Sequence, residues 1–299
     1  MLKNAEQPLL NGIKMLEPLK VRVAKDAGFC FGVRDAIEKA QLVAREHGKV
    51  YMLGDIVHNE RVVAQLEREN VIVVDTLDEV NDAPVLFRAH GTIPEIWEQA
   101  ASKDLTVVDA TCPLVHDIHN EIKKLHAENR KLIIIGDHGH DEVVAIQAQV
   151  PQAIVISNIE EAEKLARIKK AGVVSQSTQM IENVQAIIAI LSMKIFDLRF
   201  VNTVCFPTRR NQGQIQEIAP ISDVMIIVGS FTSANTKRLH EVSLSLNPNS
   251  YMVEDAAQIK AEWFDNATSV GVSAGASSPD DLIEEVVEHL NNLHVKTLA

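Results

Sequence analysis

Residues 106–140 read TVVDATCPLVHDIHNEIKKLHAENRKLIIIGDHGH, and their pattern recurs along the whole chain. A short apolar run leads to Cys112, and Pro113 then stands at a favoured first position of a helix. Apolar residues follow at helical spacing as far as Asn129, and a second apolar run ends at Gly136, 24 residues after the cysteine. The stretch therefore predicts a strand, a helix and another strand, with a polar loop after each strand.

The other two cysteines show the same spacing. Gly54 follows Cys30 by 24 residues, and Gly229 follows Cys205 by 24 residues. Each glycine ends an apolar run and opens a polar loop; the loops begin GDIVHN, GDHGHDE and GSFTSANTKR. Further along each repeat, another apolar run ends in a small or polar loop, within 85–92, 172–178 and 269–278. Three equal offsets indicate that the chain contains three related units.

Strand and helix patterns alternate throughout, which predicts an α/β fold with mainly parallel sheets covered by helices. We expect an N-terminal arm at 1–20 and three units at 21–112, 113–204 and 205–299, related by approximate threefold symmetry. Ligands of open α/β sheets bind at the carboxyl ends of the strands. The three cysteines and the polar loops all follow strands, so the pattern predicts a central site where the units face one another.

Composition limits the classes of protein that the chain can represent. It has 299 residues, 46% of them apolar, and a net charge of −12, which argues against a broad nucleic-acid-binding face. No apolar run is long enough to cross a bilayer. Three cysteines without a secretory signal favour a reducing compartment, so we expect a cytoplasmic protein with no membrane or nucleic-acid partner.

Convergence of three cysteines allows several interpretations. Each could be a small core residue, although matched positions on one edge argue against that. A catalytic thiol paired with histidine would leave the third cysteine unexplained. Zinc held by three sulfurs and one histidine is chemically reasonable. An iron–sulfur cluster suits ligands from distant segments, and three thiolates would leave one iron open to polarise a substrate oxygen.

The polar loops point to an anionic ligand. His58, His90 and His140 lie in equivalent glycine-containing turns, which favours function over three separate structural roles. Ser233 and Asn235 open a predicted helix, where they could bind phosphate or simply cap the helix. Further hydroxyl donors are expected beside them; these are Ser177, Thr178 and Ser277. Glu142 is either a proton donor beside the metal or an ordinary acid of a first helical turn.

The sequence has neither GxGxxG after a strand nor GxxxxGK[ST], so it shows no dinucleotide or Walker signature. A redox enzyme of this kind needs an external electron donor. His116, His119 and His126 are expected at or near the surface of the helix after Cys112. A non-catalytic iron–sulfur sensor or metal-binding protein and a zinc-dependent phosphate-ester hydrolase are the alternative functions.

Several motifs together resemble the 4-hydroxy-3-methylbut-2-enyl diphosphate reductase family of the non-mevalonate isoprenoid pathway. The resemblance covers about residues 20–292 and rests on AGFCFGV (27–33), DIVHNE (55–60), RAHGT (88–92), DATCPLV (109–115), GDHGHDEV (136–143), SQST (175–178), NTVCFPT (202–208), SANTKRL (233–239) and SAGASSPD (273–280).

This resemblance implies a [4Fe–4S] cluster on Cys30, Cys112 and Cys205. It implies an allylic diphosphate substrate, which loses its hydroxyl as water to give isopentenyl and dimethylallyl diphosphates. A ferredoxin or flavodoxin is the expected electron donor. The implied diphosphate contacts are His58, His90, His140, Ser233, Ala234, Asn235 and Ser277. Ala234 stands where some relatives carry serine, so a side-chain contact to the diphosphate is lost here and only the backbone N–H remains. Glu142 would relay a proton, with Ser177 and Thr178 beside it.

Overall fold

The computed structural model describes residues 19–150 and 152–293. The predicted N-terminal arm at 1–20 therefore lies outside the described residues, apart from its last two positions. Within the described ranges, twelve strands form three four-stranded sheets, and every strand pair is parallel. The predicted α/β class with parallel sheets is confirmed.

Strands and helices alternate along the described chain. The strands are β1 (Lys20–Val23), β2 (Val50–Leu53), β3 (Val71–Val74), β4 (Val85–Phe87), β5 (Val107–Asp109), β6 (Lys131–Ile135), β7 (Ile154–Ile156), β8 (Ile168–Ser175), β9 (Ile195–Phe200), β10 (Val224–Val228), β11 (Ser250–Val253) and β12 (Ser269–Ala274). The helices are α1 (Phe31–His47), α2 (Glu60–Arg68), α3 (Pro94–Ser102), α4 (Pro113–Ala127), α5 (Asp141–Ala148), α6 (Ile159–Lys164), α7 (Ile181–Lys194), α8 (Phe206–Ile218), α9 (Ala234–Leu246) and α10 (Asp280–Asn291).

The three sheets share one strand order. They run β3-β2-β4-β5, β7-β6-β8-β9 and β11-β10-β12-β1. In each sheet the last strand of this order leads to a cysteine and then to the first helix of the next unit, because β5 precedes Cys112, β9 precedes Cys205 and β1 precedes Cys30. The units therefore close into a ring in which β1 completes the third sheet.

The position of β1 corrects one predicted boundary. A first unit that starts at residue 21 would contain most of β1, but Lys20–Val23 pairs with Ser269–Val272 of β12. The third sheet lacks a fourth strand of its own among the described residues after β12, so the start of the chain occupies that edge. The other predicted boundaries, after residues 112 and 204, stay predictions.

Each sheet is apolar on both faces, as parallel sheets covered by helices require. Along β6, Ile133 and Ile135 pack into one core while Leu132 and Ile134 pack into the core on the other face. The same alternation divides β2 and β10 between two cores each. Burial on both faces fixes the register, because a shift of one residue would exchange the two faces.

A bilayer span requires a helix that is both long and apolar. Within residues 19–150 and 152–293, the helices fall short of the combined length and apolar character needed for one.

Candidate metal and anion site

The three cysteines occupy equivalent positions at helix starts. Cys30, Cys112 and Cys205 are the N-cap residues of α1, α4 and α8. Each donates its backbone N–H to the carbonyl of the second residue after a strand: Cys30 to Ala276 (3.2 Å), Cys112 to Ala89 (3.1 Å) and Cys205 to Ser177 (2.9 Å). The repeated bond anchors every cysteine to the carboxyl edge of a sheet.

The three thiols line one cavity between the units. Gly32 leaves room for this convergence, since a Cβ there would lie 2.6 Å from the Cys112 Sγ. Burial raises the pKa of all three thiols, and that of Cys205 to about 11. The protonated thiol is a poor nucleophile, which argues against the thiol–histidine alternative, whereas a bound metal stabilises thiolates.

The loops that follow β2, β6 and β10 also reach this cavity, and they do so in the same way in all three units. Gly54, Gly136 and Gly229 donate N–H bonds of 2.9–3.0 Å to the last residue of the neighbouring strand, which is Val74, Ile156 or Val253. Four positions after these glycines stand His58, His140 and Ser233, and all three line the cavity. The three loops thus share the same glycine hydrogen bond, and the residue four positions after each glycine lies at the same cavity.

The three predicted histidines form a single cluster. The ring centroids of His58 and His90 lie 4.5 Å apart, and His140 lies 5.8 Å from His58 and 5.9 Å from His90. Burial lowers the pKa of each imidazole, that of His90 most strongly. The His140 Nδ1 accepts the Glu142 N–H at 3.1 Å, so a neutral His140 carries its proton on Nε2. The cluster thus offers neutral N–H donors to a ligand.

An arginine stands beside this cluster. The Arg88 Nη2 donates to the Asp141 Oδ1 at 2.9 Å, while the His58 Nε2 lies 3.8 Å from the Asp141 Oδ2. His58, His90 and Asp141 are close enough to hold a metal ion. The guanidinium already neutralises Asp141 and repels a cation, so an anion suits this side of the cavity better.

Hydroxyl and amide groups of the third unit face the histidines. Ser233 is the N-cap of α9, and its Oγ accepts the Thr236 N–H at 3.3 Å. The Ser277 Oγ lies 3.5 Å from the Ser233 Oγ, and Ala234 lines the cavity beside them. Asn235 is buried, and neither atom of its side-chain amide has a partner among the described residues. Such an amide is costly until a polar ligand reaches it.

Glu142 is buried behind the cavity and bonded twice to Ser177. Its Oε1 accepts the Ser177 backbone N–H at 2.6 Å, and its Oε2 accepts the Ser177 hydroxyl at 2.7 Å. Burial raises the pKa of Glu142 to about 7. The carboxyl can therefore hold or release a proton near neutrality, and Ser177, which bonds to it, lines the cavity together with Thr178.

Sequence reasoning missed several residues that organise the site. Arg88 lies in the RAHGT motif and was assigned no role, although a cation two residues before the histidine of that turn could have indicated an anion site. The Asn59 Nδ2 donates to the Ser277 carbonyl at 2.9 Å and so ties the first unit to the third. The Gln176 side chain donates to the Thr178 Oγ1 at 3.0 Å and accepts the Asp137 N–H at 2.9 Å.

The expectation that His119 lies at or near the helix surface was wrong. His119 is buried, and its ring packs against Gly91, where a Cβ would lie 3.0 Å from the His119 Cε1. The first unit covers this side of α4, so the helix has apolar contacts on more than one face. Burial lowers the pKa of His119 to about 4.

Known proteins resemble this chain over most of its length. The family model described as "LytB protein" matches residues 21–291. A Geobacter metallireducens protein named 4-hydroxy-3-methylbut-2-enyl diphosphate reductase is 38% identical over 92% of this chain and 98% of its own length. An Aquifex aeolicus protein of the same name is 35% identical over 91% of this chain and 96% of its own length.

Solved structures show the same three-unit fold. The reductase from Plasmodium falciparum superimposes with a TM-score of 0.89 at 27% identity, covering 94% of this chain and 92% of its own. A second reductase, described as the terminal enzyme of the non-mevalonate pathway, gives a TM-score of 0.66 at 35% identity, covering 91% of this chain and 99% of its own. The predicted resemblance and enzyme class are confirmed, and the chain belongs to the LytB protein family.

Proposed function

We propose that the protein reductively removes the hydroxyl of 4-hydroxy-3-methylbut-2-enyl diphosphate and releases isopentenyl and dimethylallyl diphosphates with water. The reaction consumes two electrons and two protons for each hydroxyl lost. The main support is that thiols from three separate units line the same cavity as polar side chains that have no hydrogen-bond partner among the described residues. A shared cavity can hold a metal group and an anionic substrate side by side.

The donor set fits an iron–sulfur cluster. Cys30, Cys112 and Cys205 would hold a [4Fe–4S] cluster, and each thiolate would stand at a helix N-terminus, where the helix dipole favours negative charge. Three protein ligands leave one iron without a protein ligand. When bound, such a cluster supplies electrons and a Lewis acid that weakens the C–O bond. The absence of a closely spaced cysteine pair makes structural zinc a poorer fit.

The polar end of the cavity would hold the diphosphate. Ser233, Asn235 and Ser277 offer hydroxyl and amide donors, and the first-turn N–H groups of α9, including that of Ala234, add their own. Opposite them, His58, His90 and His140 offer ring N–H groups. The unpartnered Asn235 amide and His90 Nδ1 support this assignment, because a phosphate oxygen or its bound water would satisfy them.

The substrate hydroxyl needs a proton before it leaves as water. Glu142 has a pKa raised to about 7 by burial, so its neutral form is well populated at neutral pH. The Ser177 hydroxyl bonds to the Glu142 Oε2 at 2.7 Å and lines the cavity, as does Thr178. We assign Glu142 the proton donation, with Ser177 and Thr178 relaying it to the departing oxygen.

The cavity walls help to exclude water from this chemistry. Val57, Ala89 and Val115 line it between the polar groups, so the isoprenoid carbons would meet apolar side chains. The two electrons would come from a small carrier protein such as a ferredoxin or flavodoxin. Reduced thiols and a cluster of this kind suit a reducing compartment, and we place the enzyme in the cytoplasm.

Oxygen-free turnover tests the proposal. Protein purified without oxygen should consume the hydroxylated diphosphate when methyl viologen reduced by dithionite is supplied. Both isomeric products and one water per turnover are expected. Phosphate release without reduction would indicate the hydrolase alternative, and metal-loaded protein that ignores the substrate would indicate the sensor alternative. Either result would overturn the proposed reaction.

A further inference from the structure

Strand β9 is the longest of the strands that lie at the edge of a sheet in the described structure. It has six residues and pairs with β8 on one side only, whereas the other edge strands have three or four residues. An open edge presents unpaired backbone N–H and C=O groups to any strand that can pair with it. Phe196, near the start of β9, is 91% exposed. The edge therefore has both the backbone groups and the apolar side chain that strand pairing uses.

Alternate residues of β9 direct their backbone groups to this open edge. The N–H of Val201, just after the strand, donates to the Val173 carbonyl of β8 at 2.9 Å. Backbone groups alternate in direction along a strand, so every second residue before Val201 points away from β8. These residues are Phe196, Leu198 and Phe200. Leu198 thus lies at the centre of the open edge, with one outward residue on each side.

The sequence of β9 is self-complementary about Leu198. Residues 196–200 read FDLRF, so reversal about the centre places phenylalanine opposite phenylalanine and aspartate opposite arginine. A twofold axis at Leu198 would align Asp197 of each copy with Arg199 of the other, which is the reciprocal contact of a symmetric dimer. Leu198 and the two phenylalanines would then form the hydrogen-bonded pairs of an antiparallel ladder.

The same charges disfavour the neighbouring registers. An axis at Asp197 would oppose two carboxylates, and an axis at Arg199 would oppose two guanidinium groups. Like charges directly opposite each other destabilise a strand pair, whereas opposite charges stabilise it. The charge pattern therefore selects the register that is centred on Leu198.

Asp197 and Arg199 have partners in their own chain and still keep room for others. Asp197 accepts a hydrogen bond from the Arg130 Nη1 at 2.9 Å, and Arg199 pairs with Glu128. The two side chains remain 48% and 46% exposed. A carboxylate accepts several donors and a guanidinium has five N–H groups, so a pair between copies would extend this network.

We propose that two copies of this chain form a symmetric dimer by antiparallel pairing of β9 with β9. Pairing would join two four-stranded sheets into one sheet of eight strands. Each exposed Phe196 would lie against Phe200 of the other copy, and aromatic cross-strand pairs stabilise sheets. A six-residue strand pair is a small interface compared with the roughly 1,200 Å² of stable complexes, so we expect a dimer that dissociates on dilution.

Sedimentation equilibrium of the full chain, prepared without oxygen, tests for the dimer. The wild type should pass from one chain mass towards two as its concentration rises from the micromolar to the millimolar range. F196S should raise the dissociation constant by about fivefold. It should leave the free energy of unfolding at micromolar concentration unchanged, because the Phe196 ring is exposed in the single chain.

Two charge variants test the register. D197R leaves two positive charges on the strand, and R199D leaves two negative charges. Each variant alone should dimerise at least about tenfold more weakly than the wild type, because like charges would face each other. An equal mixture of the two should dimerise as tightly as the wild type, and this recovery would also show that both variants fold. R68D, at an exposed position of α2, controls for the charge change in R199D.

Three results would overturn the proposal. A wild type that stays monomeric throughout this range is the first, and a mixture that dimerises no better than its two components is the second. Dimerisation that appears only after removal of residues 1–18 is the third, because it would show that this segment of the chain occupies the β9 edge. None of these measurements depends on turnover, so they stand apart from the proposed reaction.

Discussion

The Glu142 carboxyl and Ser177 are joined at two points, through the backbone N–H at 2.6 Å and the hydroxyl at 2.7 Å. The pair links the first turn of α5 to the loop after β8. The next strand in the chain, β9, leads to Cys205. The same Ser177 accepts the Cys205 N–H through its carbonyl at 2.9 Å. One short loop therefore connects the acid of the site to a thiol of the site.

Glutamine at position 142 should preserve this shape and remove the proton. The amide oxygen can still accept the Ser177 N–H, so we expect E142Q to bind pyrophosphate with near wild-type affinity. Its turnover with methyl viologen should fall by about 10²–10⁴-fold, as for other lost general acids. The exposed change E163Q controls for the loss of one negative charge. Undiminished turnover in E142Q would remove Glu142 from the proton path.

The raised pKa of Glu142 predicts the direction of the pH dependence. Burial raises this pKa to about 7, so the proton-donating form is lost as pH rises through that value. We expect kcat/KM for the diphosphate to decline above about pH 7 with a one-proton slope, and E142Q to lack this decline. Measurement with methyl viologen at fixed driving potential isolates the enzyme. A decline that persists in E142Q would assign the titration to another group.

Two buried asparagines of the third unit should respond in opposite ways. The Asn235 amide has no partner in the described structure, whereas the Asn247 amide donates to the carbonyls of Ala219 and Ser222 at 3.2 and 2.7 Å. N235A should weaken pyrophosphate binding by about tenfold without lowering the free energy of unfolding. N247A should lower that free energy by about 1–3 kcal/mol and leave pyrophosphate affinity unchanged. Calorimetry measures the pyrophosphate affinity, and urea titration measures the free energy of unfolding. The reverse pattern would contradict the role of Asn235 in diphosphate binding.

Two glycines test whether the thiols need the space between them. A Cβ at Gly32 would lie 2.6 Å from the Cys112 Sγ, but at Gly213, within α8, it would meet nothing within 4 Å. We expect G32A to lose most of its bound iron, because Cys112 must move. G213A should keep its iron and gain about 0.5–1 kcal/mol of stability, as alanine favours a helix. Equal iron content in both variants would show that Cys112 tolerates displacement.

The three-unit fold and much of the candidate site could be predicted because each cysteine is followed at the same spacing by a glycine that opens a polar loop. Equal spacing from cysteine to glycine predicted the three units, and Pro113 after Cys112 predicted a helix that begins there. The helix α3 has only nine residues, which is too short for apolar periodicity to identify it from the sequence.

The remaining features depend on contacts between units, which leave no periodic signal. The Arg88–Asp141 ion pair joins residues 53 positions apart, and β1 pairs with a strand near the other end of the chain. The Arg238–Asp137 ion pair likewise joins two units. Each of these contacts follows from closing the three sheets into a ring, which a local pattern cannot specify.

The most direct test of the central claim is the iron and labile sulfide content of protein prepared without oxygen. We expect about four of each per chain, falling sharply when serine replaces Cys30, Cys112 or Cys205 singly. Zinc in place of iron, or full reductase activity in protein that holds neither iron nor sulfide, would contradict the account.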